Sequence, residues 1–400
     1  MHPHIQKLYT IANKPKRKII GLMSGTSVDG LDIALCTITG SGTETKIRVD
    51  QFEIVPYNED FKKEVKSVFS KKQVDFEKLC LLNPWIALQQ AAMINNCLKK
   101  WNIKPGEVDL IASHGQTVYH APKILHQQEK FGNSTLQIGD GDHLAVATGI
   151  ITVSDFRQKH IAAGGEGAPL AVYGDYFVFS KKNENRIMLN IGGIANFTFL
   201  SGNLDASKIF CTDTGPGNTI MDTYIQRYFP GKYFDENAAI AKQGTVHEGL
   251  LLALKNNLFF EKPFPKTTGP ELFNLDYFKR AQQQSNTTQL SHPDCLATLN
   301  RFSADTIVDG IKKCFSGNER SVVYASGGGI HNPLLMQNIS SQLPGIPIKT
   351  TLDQEMNPDA KEAVLFAILA NECVSGIGYS FDGKKAGIPS VTMGKISFPD

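Results

Sequence analysis

Between Lys18 and Leu35 the chain reads KIIGLMSGTSVDGLDIAL: an apolar run, a turn of small polar residues and a second apolar run. Gly25 lets backbone approach a ligand closely, and Thr26 and Ser27 add hydroxyl groups. A turn of this kind can offer N–H and O–H donors to phosphate oxygens. Asp29 beside it can hold a hydrated divalent cation, which nucleotide phosphates require. An ordinary polar hairpin turn is the alternative for the same residues. A second element, Ala325 to Met336, reads ASGGGIHNPLLM after apolar Val322, Val323 and Tyr324. Strand, three glycines (Gly327, Gly328, Gly329) and helix bring backbone against a flat or anionic ligand at a helix N-terminus. A tight turn needs only one glycine, so three in a row favour ligand contact. In Phe210–Asp222, FCTDTGPGNTIMD, Asp213 ends an apolar strand before a turn into a helix. A carboxylate there can take a proton from a hydroxyl or water. Helix capping or ordering of the turn is the other reading of Asp213.

These groups need elements to carry them, and the patterning gives an alternating α/β layout. Strands are expected near residues 18–24, 30–38, 48–56, 108–113, 150–155, 186–191, 195–201, 208–212, 321–326 and 346–350. Helices are expected near 58–70, 75–101, 140–148, 168–180, 216–228, 235–244, 246–257, 274–284, 293–315, 331–341 and 358–375. Within 293–315, Leu296, Leu299, Ile307 and Ile311 recur at helical spacing. Pro84 leaves 75–101 as two helices or one kinked helix. The first dozen residues are expected to be a loose extension. About 170 residues after the first hairpin, Arg186–Leu200, RIMLNIGGIANFTFL, repeats its form with Gly192 and Gly193 at the tip. This echo fits two α/β lobes, each opening with a β-meander. A ligand cleft is then expected between them.

Composition narrows the class. Four hundred residues can bury a sizeable core in two or three domains. A formal net charge of +2 gives no electrostatic case for nucleic acid or a membrane surface. The longest apolar run, Ala363–Ala370, is too short to span a bilayer, and no run has signal-peptide length. The seven cysteines are scattered without a C-x-x-C pair, which points to reduced, core-packing thiols in a cytoplasmic protein. No G-x-x-x-x-G-K-[ST] is present and no G-x-G-x-x-G follows a strand, so P-loop and dinucleotide-binding folds are disfavoured. Three separate glycine turns point to phosphates gripped between two lobes.

Taken in order, GLMSGTSVDGLD, SHGQT, SDFR, AAGG-x-GAPL, NIGGIAN, DTGPGN and SGGG-x-HN resemble the anhydro-N-acetylmuramic acid kinases, from about Gly21 to the C-terminal region. The resemblance implies the fold of the sugar kinase, actin and heat-shock ATPase superfamily: α/β, two ribonuclease H-like duplicated lobes with a central cleft. The expected division is residues 1–155 with about 375–400 as the first lobe, and about 156–374 as the second. It implies an enzyme that uses ATP and water to open the 1,6-anhydro bridge of anhydro-N-acetylmuramic acid and phosphorylate O6, in peptidoglycan recycling. Asp213 matches the family's catalytic base. Gly25, Thr26, Ser27 and Asp29 are expected at the phosphates and Mg²⁺, with Asp29 as the metal contact. Gly192 and Gly193 would form the second phosphate turn, and Gly327, Gly328 and Gly329 would lie against the nucleotide. Sugar contacts are expected from Ser113, Gln116, Thr117, Asp155 and Arg157, with Arg157 forked onto the lactyl carboxylate. Glu362 is a further sugar candidate, or simply a first-turn acid that favours the helix dipole. The partner is a small sugar, without nucleic acid or membrane, and the resemblance suggests a homodimer. A related kinase acting on another sugar or anhydrosugar is the alternative function.

Some positions depart from the family pattern. Arg157, Gln158, Lys159 and His160 stand where members commonly read R-R-R-D, and Glu166 stands where they have Gln. Lys266, Thr267, Thr268, Gly269, Pro270 and Glu271 replace K-S-T-G-R-E. None of these is expected to touch Asp213 or the glycine turns. His160 and Glu166 are expected to balance each other in charge on the sugar side.

Overall fold

The structure is a computed structural model describing residues 1–315, 320–350, 358–376 and 388–400. It divides into two compact units, Met1–Phe179 with Asp359–Asp400, and Ser180–Pro358.

In the first unit, β1 (Lys16–Ser24), β2 (Gly30–Thr39) and β3 (Lys46–Pro56) form an antiparallel meander. Next come β4 (Leu110–Ala121), β5 (Ser134–Ile138) and β6 (Thr152–Ser154). β4 runs parallel to β1 and to β6, while β5 pairs antiparallel with the outer half of β4. Helix Phe76–Lys100 lays Ile86, Ala87 and Ile94 on Ile20, Leu22 and Ile111. The Asp75 side chain caps that helix by accepting the N–H of Lys78. Pro84 lies inside this one helix rather than dividing it. The opposite face of β1 takes helix Lys361–Ser375, whose residues Ala363–Ala370 are all buried. Gly21 permits the contact, because a Cβ there would land on the carbonyl oxygen of Ala363.

In the second unit, β7 (Asn185–Ile191), β8 (Ile194–Leu200) and β9 (Phe210–Pro216) make another antiparallel meander. β10 (Ser321–Ser326) then lies parallel to β7, and β11 (Ile348–Thr350) parallel to β10. The sheet order β11-β10-β7-β8-β9 matches the order β6-β4-β1-β2-β3 of the first unit. The sequence echo is thus a repeated topology, the same five-strand order in both units. Helix His292–Lys312 is buried along most of its length. Its Leu296 and Leu299 join one cluster, while Ile307 and Ile311 pack on Ile187, Leu189 and Phe197 in another.

Several expectations are corrected. The unit boundaries fall at 179/180 and 358/359 rather than near 155 and 375, because helices Phe156–Ala162, Ala171–Phe179 and Lys361–Ser375 all belong with the first unit. The N-terminus is helical over Pro3–Ala12 and is held down by buried Ile11. β4 extends past 113 to Ala121, and β5 and β12 (Lys395–Ser397) lacked a strand pattern in the sequence. Residues 235–244 make only two short 3₁₀ turns, Glu236–Ala238 and Ala241–Gln243. The cysteines are all free; Cys36, Cys97 and Cys295 are core residues, but Cys80 is exposed.

Candidate active site

In the first unit, the turn from Gly25 to Asp29 joins β1 to β2 and leaves Thr26, Ser27 and Asp29 exposed. Val28 anchors it: its side chain is buried and its backbone is left-handed, with φ 58°, a strained setting for a β-branched residue. Gln116, fully buried, holds the turn from below. Its Oε1 accepts the Ser24 hydroxyl at 2.5 Å and its Nε2 donates to the Gly25 carbonyl at 3.3 Å. Tyr57 donates to the same Ser24 oxygen at 2.9 Å. Gln116 is therefore committed to the turn, whereas Thr117 receives Gln137 Nε2 at 3.3 Å.

Among the described residues no three His, Cys, Asp or Glu side chains gather as a metal set. A single exposed carboxylate, Asp29, suits an ion held mainly by phosphate oxygens and water, which is the habit of Mg²⁺. Asp32, the third residue of β2, is another matter. Burial, then Glu362 and Asp359, push its carboxyl up to about 6. Its spacing from Asp29 in VDGLD was the only signal for it.

Ser113 and Asp155 meet at a polar cavity of about 240 Å³, which Asn83, Gln137, Asp140 and Lys395 also line. Asp155 holds φ 56° and pairs with Lys395. The Gln137 Oε1 is buried without a partner, so it can accept a donor from a ligand. Arg157 is mostly withdrawn from water. It donates from Nε to His114 Nε2 at 2.8 Å and from Nη1 to the Gly167 carbonyl at 2.6 Å. The nearby charge of Glu362 supports its protonated form against burial. Glu362 itself lies exposed in the first turn of helix Lys361–Ser375.

His160 and Glu166 do not balance each other. Burial and Arg157 push His160 down to about 4, so its ring is neutral at ordinary pH. Its Nδ1 accepts the N–H of Gly167 at 3.0 Å and pins the glycine loop. Glu166 is exposed, and its charge acts on His120.

In the second unit, Asp213 is the central residue of β9 rather than its last, because the strand continues through Thr214, Gly215 and Pro216. Its Oδ2 accepts the N–H of Thr268 at 2.8 Å, and its own N–H donates to Lys266 O at 2.9 Å. The segment Lys266–Glu271 thus touches Asp213 directly, contrary to the sequence expectation. Lys266 anchors this segment: its buried ammonium donates to Phe259 O at 2.9 Å, 4.3 Å above the Phe259 ring. Burial pushes the Asp213 carboxyl up to about 6; the Thr268 N–H opposes the rise and Glu271 adds to it. A base with that pKa is half ready at mildly acidic pH and ready at neutral pH.

The Gly192–Gly193 turn is bound to the turn after β9. Gly193 O accepts the N–H groups of Gly217 and Thr219 at 2.8 and 3.0 Å, and Gly192 O accepts Asn218 N–H at 2.9 Å. The three consecutive glycines divide by role. Gly327 has φ 84° and a Cβ there would lie 2.6 Å from Asn190 Oδ1, while a Cβ at Gly329 would strike Ile191. Gly328 is exposed with nothing within 4 Å of such a Cβ. Of the three, only Gly328 leaves open space around such a Cβ.

A family model described as anhydro-N-acetylmuramic acid kinase matches residues 17–397. The anhydro-N-acetylmuramic acid kinase of Pseudoalteromonas atlantica is 59% identical over 401 residues, covering 100% of both chains. That of Caldanaerobacter subterraneus subsp. tengcongensis is 38% identical over 395 residues, 98% of this chain and 100% of the relative. Among solved structures, a ROK family glucokinase from Streptomyces griseus with glucose and AMPPNP aligns at 11% identity over 88% of this chain and 97% of its own, with a TM-score of 0.32. With a match that runs through both units, the chain belongs to the anhydro-N-acetylmuramic acid kinase family.

Proposed function

We propose that the protein converts 1,6-anhydro-N-acetylmuramic acid, ATP and water to N-acetylmuramic acid 6-phosphate and ADP, in recycling of cell-wall peptidoglycan. Family membership supports the reaction, and Asp213 is the observation that carries its chemistry in this chain: a half-buried carboxylate with one oxygen held and its pKa raised to about 6.

Asp213 takes a proton from water, and the resulting hydroxide oxygen bonds to the anomeric carbon. The C1–O6 bond breaks and its electron pair passes to O6. O6 then bonds to the γ-phosphorus as the bond to the ADP oxygen breaks. The protein's share of the transfer is alignment and charge stabilisation. Backbone N–H groups around Gly25, Gly192 and Gly328 serve the nucleotide, with hydroxyls from Thr26 and Ser27. Mg²⁺, held through Asp29, neutralises phosphate charge when bound. Ser113, Asp155 and Glu362 serve the sugar hydroxyl and acetamido groups. Arg157 serves the lactyl carboxylate, since a mostly buried guanidinium with free N–H groups suits an anionic partner. A homodimer accompanies this reading from the family resemblance, and a cytoplasmic location from the scattered cysteines without a C-x-x-C pair.

The test measures ADP release with Mg-ATP, with and without the anhydrosugar, while mass spectrometry follows the sugar. A sugar-dependent rate and a product heavier by one phosphoryl group and one water are expected. ATP binding without sugar-dependent turnover would overturn the reading.

A further inference from the structure

His114 belongs to the SHGQT motif, yet the reaction above gives it no role. It is 3% exposed, packed at 4.8 Å against the Phe366 ring, and in contact with Arg157. Its two ring nitrogens are both engaged. Nε2 lies 2.8 Å from Arg157 Nε, which can only donate, so Nε2 must accept. Nδ1 lies 2.9 Å from the Gly115 carbonyl, which can only accept, so Nδ1 must carry the proton. One neutral tautomer satisfies both contacts. Burial and the Arg157 charge push the ring pKa down to about 3, so His114 does not change charge over the working pH range.

The consequence falls on Arg157. The guanidinium is held at two points, Nε by His114 and Nη1 by Gly167 O. Among the described residues its Nη2 edge makes no hydrogen bond, and no carboxylate lies within salt-bridge distance. A planar guanidinium fixed along one side presents its remaining N–H groups in a set direction, the arrangement that recognises a carboxylate in forked fashion. Fixing the fork in advance also lowers the ordering cost of binding.

We infer that His114 is a positioning residue that, as the Nδ1–H tautomer, aims Arg157 at the substrate carboxylate and so sets selectivity for an acidic over a neutral anhydrosugar. This rests on the reading of Arg157 as the carboxylate receptor. The test measures affinity calorimetrically for 1,6-anhydro-N-acetylmuramic acid and for its neutral lactyl methyl ester, with wild type, His114→Gln, His114→Phe and Arg157→Met. The wild-type protein should prefer the acid by about 10- to 100-fold, the range of one charge-assisted contact. His114→Phe should reduce that preference to within about threefold by weakening acid binding alone, and KM should rise more than kcat falls. In His114→Gln the side-chain Oε1 can take the place of Nε2 as acceptor, so most of the preference should return. In ¹⁵N spectra His114 should show a pyrrole-type Nδ1 and a pyridine-type Nε2 from pH 5 to 8.

The two readings fail differently. An unchanged acid-to-ester ratio in Arg157→Met would remove the carboxylate receptor itself. A ratio lost in Arg157→Met but kept in His114→Phe would overturn the role of His114 alone. Should the Phe variant not fold, a His114→Gln protein of wild-type stability with no preference, or an Nε2–H tautomer in the spectra, would overturn it equally.

Discussion

At the residue scale, Asp213 links chemistry to stability with opposite signs. As a base it must be ionised, so kcat/KM should fall on the acid side with an apparent pKa near 6. A pH–rate profile flat down to pH 5 would remove it from that role. Asp213→Asn should cut turnover by roughly 10²- to 10⁴-fold, because the amide cannot take the proton. The same change should stabilise the fold. The folded pKa of about 6 exceeds the ordinary 3.8, so between those values the folded chain keeps a proton that the unfolded chain loses. Stability therefore falls as pH rises through that window, and the cost is fully present above 6. Melts of Asp213→Asn at pH 7.5 should show a gain on the order of 1–3 kcal/mol, shrinking as pH falls toward 3.8. The residue type of Asp213 was readable from FCTDTGPGN, but its expected place at a strand end was not met: β9 runs on to Pro216 and Asp213 is its central residue. That Thr268 donates to it was not readable, since 55 residues separate the two. Gln116 shows the converse. Its motif pointed to the sugar, while the fold buries its amide against Ser24 and the Gly25 carbonyl.

At the element scale, the glycine run after β10 has two positions closed by packing, Gly327 and Gly329, and one open, Gly328. Gly329→Ala should destabilise by several kcal/mol, since the new methyl group meets the buried Ile191 side chain. Gly328→Ala should leave the melting temperature within a degree or two of wild type but raise the KM for ATP at least several-fold. Equal effects of both changes on stability, with ATP affinity untouched, would count against the ligand-facing role of Gly328. The main strands and long helices were legible because their apolar spacing is regular, as in β1, β2 and helix His292–Lys312. Elements outside that rule were missed for definite reasons. β12 is three residues long and exists by pairing with β6. β5 is polar on one face and pairs with β4 beyond left-handed Gly115, through a register shift between Thr117 and Tyr119. Helix Pro3–Ala12 depends on a capping His2 side chain and one buried isoleucine, too little to read as a periodic pattern.

At the scale of the whole molecule, the first unit is discontinuous and the second continuous in sequence. Residues 180–358 contain a complete five-stranded sheet and its helices, and should melt cooperatively when expressed alone. Residues 1–179 lack helix Lys361–Ser375, leaving one face of β1 and β4 uncovered, and should be molten or aggregate. A cooperative melt with dispersed amide resonances from 1–179 would show that the helix is dispensable. No helix among the described residues is long and apolar enough to cross a membrane. The sequence by itself determined the α/β class, the two meanders and the residue types at the glycine turns and at Asp213. Those features rest on local periodicity, on backbone freedom at glycine and on side-chain chemistry, all of which are written in neighbouring residues. Only the tertiary structure decided that helix Lys361–Ser375 returns to the first unit, that Lys266–Glu271 cradles Asp213, and that neutral His114 and His160 hold Arg157 and Gly167. Those depend on burial and on contacts between distant segments, which raise one carboxyl, silence two imidazoles and are set by packing rather than by any local spacing.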